Sequence, residues 1–132
     1  MVEADETPAE GAVRELAEEA GVELIPAHLR LVSTSSVRLD GDRALAWNFT
    51  AEVNDSRLEV RDPDDLVQEA RWFPTRVAAR LLADLPYPPL VDPVLAVLLG
   101  EETERLHWWY EAPDADPVVT HGPTDGDRCH TS

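Results

Sequence analysis

Glu6–Val22, ETPAEGAVRELAEEAGV, is the stretch whose reading decides the fold. It carries the marks of one short helix over residues 8–20. Thr7 suits the N-cap and Pro8 the first helical position; Glu10 stands three residues after Thr7 and completes a capping box. Such a cap is worth about 1 kcal/mol. Gly21 follows the last periodic residue and can take the left-handed conformation that ends a helix. Ala9, Ala12, Val13, Leu16 and Ala20 recur at helical spacing and form an apolar stripe. Glu15, Glu18 and Glu19 stand at i, i+3 and i+4, which gathers three carboxylates on another face.

Two readings of those carboxylates are open. On an open helix, like charges at this spacing cost only about 0.2–0.5 kcal/mol per pair, so a solvated acidic face is affordable. In a cleft, at about 6 Å and an effective dielectric near 20, each pair repels by about 3 kcal/mol, and the cluster needs a cation beside it. Hard divalent ions take oxygen ligands, so three carboxylates on one helical face also read as a Mg²⁺ site.

The residues around the triplet bear on that choice. Arg14-Glu15-Leu16-Ala17-Glu18-Glu19-Ala20-Gly21-Val22 fits R-E-U-x-E-E-x-G-U, where U is apolar, and Glu6 stands eight residues before Arg14, where the same pattern has Glu. This resembles the signature of the Nudix hydrolases, a motif long enough to carry a low false-positive risk. The resemblance implies that Glu15, Glu18 and Glu19 hold Mg²⁺, with Mn²⁺ as a substitute. It makes Arg14 the arginine that pairs with carboxylates and steadies the join between loop and helix, and Gly21 the residue that closes the helix. Downstream, Glu69-Ala70-Arg71-Trp72-Phe73-Pro74 is similar to the E-x-R-W-F-P strand that leads into a helix in that family. Glu69 is then a candidate for the extra glutamate that some members supply; the other reading is a surface residue on an edge strand.

The implied fold is α/β, a Nudix-like α/β/α sandwich around a mixed sheet with its first strands missing. The full signature opens with a Gly six residues before Glu6, a position just ahead of Met1, and Val2–Thr7 resembles the end of the family's G-G-x-V-E-x-x-E-T loop. We expect the true start to lie upstream; a genuine fragment is the other reading. Residues 1–100 are expected to form the partial Nudix domain, and residues 101–132 a C-terminal extension that is largely a disordered tail.

Beyond the helix, Leu29–Val37 reads as a strand, Asp40-Gly41 as a hairpin turn, and Ala44–Val53 as a strand buried on both faces. Residues 54–65 read as an acidic loop, in which Asp62, Asp64 and Asp65 are either solvated or ligands of a second metal. Val67–Phe73 is expected to be a strand. Thr75 is expected to cap a helix over residues 76–84 that presents Val77, Leu81, Leu82 and Leu85. A second helix is expected over residues 91–99, started by Asp92-Pro93 and closed by Gly100. Trp47 and Trp72 are expected in the core. The adjacent aromatics of His107-Trp108-Trp109-Tyr110 could stack on bases, pack on the core, or meet a partner chain, which leaves room for a homodimer. Residues 112–132 are rich in Pro, Asp and Gly with few aliphatics, the composition of a disordered segment. His28, His121 and His130 read as surface residues.

Composition narrows function further. The chain has 132 residues and a formal net charge of −16, which opposes binding to nucleic acid or to an anionic membrane. A phosphorylated substrate would meet the same repulsion unless a divalent metal were bound. Every basic residue apart from histidine is Arg, so a lysine nucleophile is excluded. Cys129 is alone, which excludes an intramolecular disulfide. The acidic N-terminus is unlike a signal peptide, and cytoplasm is the expected compartment.

Two functions from different classes follow. The first is a metal-dependent hydrolase that cleaves the diphosphate linkage of a nucleoside diphosphate joined to another moiety, with Glu15 or Glu69 as the base. Its partner is a small nucleotide-type substrate. The second is a catalytically impaired Nudix-like remnant acting as a binding or regulatory module. An acidic face on an unrelated small α/β domain is a third reading.

Overall fold

The computed structural model describes residues 3–54, 57–61, 70–101 and 103–121. The chain divides into two compact units, Met1–Arg30 with Phe49–Phe73, and Leu31–Asn48 with Pro74–Ser132. Among the described residues it is α/β, with three α-helices and a mixed four-stranded sheet.

The first unit holds helix α1, Pro8–Ala20, with the ends that its sequence specifies. Thr7 is extended, its hydroxyl accepts from Glu10 N at 3.1 Å, and its own amide donates to the Glu10 carboxylate at 2.8 Å. Gly21 has φ 69° and donates its amide to Ala17 O. The apolar stripe is half-buried, and the buried position of the helix is Gly11. A single 3₁₀ turn, Pro26–His28, packs beside α1, and His28 Nδ1 accepts from Ile25 N at 3.2 Å. The strand expected over 67–73 is not found in its described part: residues 70–73 take no regular structure, and Trp72 is 54% exposed, not core. Asp62, Asp64, Asp65 and residues 67–69 lie outside the described residues.

The sheet orders its strands β2-β1-β3-β4, with β1 Arg30–Leu39, β2 Asp42–Thr50, β3 Leu106–Tyr110 and β4 Val118–His121. Strands β1 and β2 are joined through Asp40 and Gly41, at φ 49° and 88°. Two successive positive φ values are what a two-residue hairpin turn requires, and Asp-Gly supplies them cheaply. Strand β3 pairs with β1 in parallel and with β4 antiparallel.

Two expectations change here. Strand β2 is not buried on both faces: Leu45 is 60% and Trp47 39% exposed. An edge strand is paired on one side only, and an apolar run does not reveal whether its strand lies at an edge or in the middle. The segment after Gly100 is not a structureless extension through residue 121, because β3 and β4 belong to the sheet. Residues 122–132 lie outside the described residues. The aromatics of β3 accordingly pack into this unit: Tyr110 is fully buried, and the Arg43 guanidinium lies 3.4 Å from the Trp109 ring centroid.

The middle strand β1 buries hydroxyls where aliphatic residues would be usual, which is tolerable because each has a partner. Asn48 Nδ2 donates to Ser33 Oγ at 2.9 Å and to Ser35 Oγ at 3.1 Å. The His107 ring bridges two more, with Nδ1 2.7 Å from Thr34 Oγ1 and Nε2 3.2 Å from Ser36 Oγ. Helices α2, Thr75–Ala83, and α3, Pro88–Leu98, pack on each other, and α3 also packs on β3. Pro74, not Thr75, holds the N-cap of α2, with no side-chain cap bond. Helix α3 begins at Pro88, not near Asp92, because a first-turn proline sacrifices no intrahelical bond. Pro93 therefore falls inside the helix, and Asp92 accepts from the Tyr110 hydroxyl at 3.0 Å. Beyond α3, the Glu101 amide donates to Ala96 O at 3.0 Å.

Candidate functional site

The candidate site is built on the first unit, around Arg14. Its guanidinium grips Glu6 from the side: Nε lies 3.2 Å from each Glu6 carboxylate oxygen, and Nη2 lies 2.9 Å from Oε1. The remaining nitrogen, Nη1, donates to Glu18 Oε2 at 3.3 Å, one turn further along α1. Glu15 Oε1 stands 3.9 Å from Nη2, and Glu3 Oε1 3.8 Å from Nε. Four carboxylates thus surround one cation. The hydrogen bond from Arg14, reinforced by one from the Glu3 amide, holds the Glu6 carboxyl below the usual carboxylate range. The same bond raises the Arg14 pKa.

The three carboxylates singled out from the sequence are not disposed alike. Glu15 and Glu18 are half-buried and turn toward Arg14, whereas Glu19 is exposed. No group of three His, Cys, Asp or Glu side chains that could hold a metal occurs among the described residues. The cause is local: a guanidinium within reach recruits Glu15 and Glu18, while Glu19 lies about 140° around the helix from Arg14. Glu69 lies outside the described residues.

The donor set nevertheless suits a hard divalent ion. All the donors are carboxylate oxygens. Glu18 and Glu19 occupy the last turn of α1, which has no basic residue of its own. The carbonyl end of a helix carries about half a negative charge, so two carboxylates placed there favour a cation nearby.

One supporting segment had no signal in the sequence. Residues 59–61 run antiparallel along the last turn of α1. Glu59 N donates to Ala20 O at 2.8 Å, and Arg61 N to Glu18 O at 2.6 Å. These carbonyls belong to the last four of the helix, which lack intrahelical partners. The Arg61 side chain then clasps Glu23 at 2.9 Å and Glu59 at 3.1 Å, and both carboxylates raise its pKa, Glu59 foremost. Arg57, Leu58, Glu59 and Arg61 also line a cleft of about 1170 Å³ with Gly21, Leu24, His28 and Asn54. Its Arg61 is already neutralised by Glu23 and Glu59.

The NUDIX domain family model matches residues 1–92, well over half of the chain. The chain belongs to the Nudix family. No curated protein and no solved structure matches it. Membership supports a pyrophosphohydrolase-type function, that is, a hydrolase acting on phosphoanhydride bonds of small nucleotide-type substrates. Nudix enzymes generally use divalent metals such as Mg²⁺. No helix among the described residues is long and apolar enough to cross a membrane.

Proposed function

We propose that this Nudix domain is a metal-dependent hydrolase that cleaves the diphosphate linkage between a nucleoside diphosphate and another moiety. The observation that carries the reading is the convergence of Glu15 and Glu18 on one cationic group, the Arg14 guanidinium. Oxygens that already turn toward a guanidinium are suitably placed to turn toward a divalent ion. Glu15, Glu18 and Glu19 would hold that ion, Mg²⁺ or in its place Mn²⁺. When bound, it would neutralise the diphosphate and lower the pKa of a coordinated water.

The chain's own residues have separate tasks. Arg14 holds Glu6 and fixes the loop before the helix against its first two turns. It also keeps Glu18 from swinging into solvent. Glu15, or Glu69, takes the proton from the attacking water as general base. The charge of −16 makes the ion a requirement for admitting a polyanionic substrate at all. Nothing among the described residues favours a non-catalytic module.

The test is hydrolysis of a nucleotide panel with and without Mg²⁺. Turnover should require the metal, and Glu18→Gln or Glu19→Gln should each lower it at least about 100-fold, as expected when a metal carboxylate is lost. Far-UV circular dichroism should be unchanged, because one of these side chains is exposed and the other half-buried. Equal turnover by Glu19→Gln and the parent would remove Glu19 from the ligand set. Hydrolysis indifferent to Mg²⁺ and Mn²⁺ would overturn the reading.

A further inference from the structure

We propose that residues 59–61 form a positioning strap that sets the last turn of α1, and with it the direction in which Glu18 and Glu19 present their carboxylates. The inference rests on the metal-holding role proposed for those residues. The strap replaces water as the partner of Glu18 O and Ala20 O, at 2.6 and 2.8 Å. A helix end whose carbonyls meet only solvent frays, and side chains on a fraying turn spread over many orientations. A cluster that must close on one ion pays for that spread in affinity.

Two features hold the strap in place. The first is Gly21. A Cβ there would lie 2.5 Å from Glu59 O and 2.9 Å from Glu59 Cβ, closer than packed atoms allow. Its left-handed φ of 69° alone would admit Asn as well as Gly, but the approach of Glu59 admits only Gly. The second is Arg61, whose fork joins Glu23, just past the helix end, to Glu59 within the strap. The strap thus bridges the two sides of the turn that ends α1.

The experiment measures Mn²⁺ affinity of the full chain from the free-ion electron paramagnetic resonance signal, with exchange of the Glu59 and Arg61 amides followed by NMR. Gly21→Asn and Arg61→Ala should each weaken Mn²⁺ binding roughly 10-fold, the low end for groups that support metal ligands from behind. Both amides should exchange slowly in the parent and faster in the variants. Glu23→Ala, at a side chain 75% exposed, loosens the clasp without touching the interior and should weaken binding by a smaller factor. Variants with fast amide exchange and parental affinity would overturn the strap as a positioning element while leaving the metal site standing. Parental amides that exchange as fast as those of an open loop would also overturn it. A parent that binds no Mn²⁺ would overturn the metal site and the strap's role with it.

Discussion

At the scale of single residues, the first unit turns on the pairing of Arg14 with Glu6. The two face each other side-on, a geometry that a lysine could not reproduce because it lacks the planar fork. The bond lowers the Glu6 pKa from its ordinary 4.5, so the carboxylate binds its proton less readily in the folded chain than in the unfolded one. The sign of the linkage follows: Glu6 contributes stability above about 4.5, and that contribution is lost as pH falls through the folded-state value. Glu6→Gln should therefore be less stable than the parent at pH 7 and indistinguishable from it well below that range. Urea unfolding at the two pH values checks this. A gap that stays constant on acidification would mean that Glu6 acts through packing and not through its charge. Arg14 and Glu6 were legible in the sequence because the motif fixes their spacing. That Glu15 and Glu18 turn to Arg14 while Glu19 stays exposed was not, because side-chain direction depends on which cation lies within reach.

At the scale of elements, the parts that sequence reveals are those whose ends are specified within a few residues. Helix α1 falls at 8–20 because Thr7, Pro8, Glu10 and Gly21 act locally. The β1–β2 hairpin turns at Asp40-Gly41 for the same reason. The two glycines look alike in sequence and differ in what surrounds them. A Cβ at Gly41 would meet nothing within 4 Å, whereas one at Gly21 would collide with Glu59. At Gly41 only the backbone conformation matters, so Gly41→Asn should cost a few tenths of a kcal/mol, and Gly41→Val, which resists positive φ, about 1–2 kcal/mol. Thermal or urea unfolding of the two variants reads the difference. Equal losses would mean that the tip of the turn is packed after all. Helix α3 shows the limit of local signals. Asp92-Pro93 imitates a helix start, but Pro88 and Pro89 precede it, and a helix that begins there carries Pro93 in its interior. Its lost bond is offset by burial, since Pro93 is among the residues that α3 buries.

At the scale of the whole molecule, composition misleads about the C-terminal segment. Residues after Gly100 are poor in aliphatics, and the Pro, Asp and Gly content suggests a dispensable tail. A strand of five residues needs little composition of its own when its partner is already waiting. Strand β1 is such a partner, and β3 pairs with it from Ser33 opposite Leu106 to Val37 opposite Tyr110. The pairing is parallel and joins residues some seventy positions apart in sequence, so no window of neighbouring residues could reveal it. The consequence can be tested by a chain ending at Gly100. It would leave the Ser36 and Thr34 hydroxyls without His107, strip Asp92 of the Tyr110 hydroxyl, and open the site of a fully buried tyrosine. A buried aromatic side chain is worth about 1.5–3 kcal/mol by area, and each hydrogen bond lost about 0.5–1.5 kcal/mol net. Together these approach the 5–15 kcal/mol that typically separates folded from unfolded domains. The shortened chain should therefore lose its cooperative thermal transition by far-UV circular dichroism, whereas the full chain keeps it. A chain ending at Gly100 that melts cooperatively at the parental temperature would show β3 and β4 to be the extension that their composition suggests, with the sheet held by β1 and β2 without them.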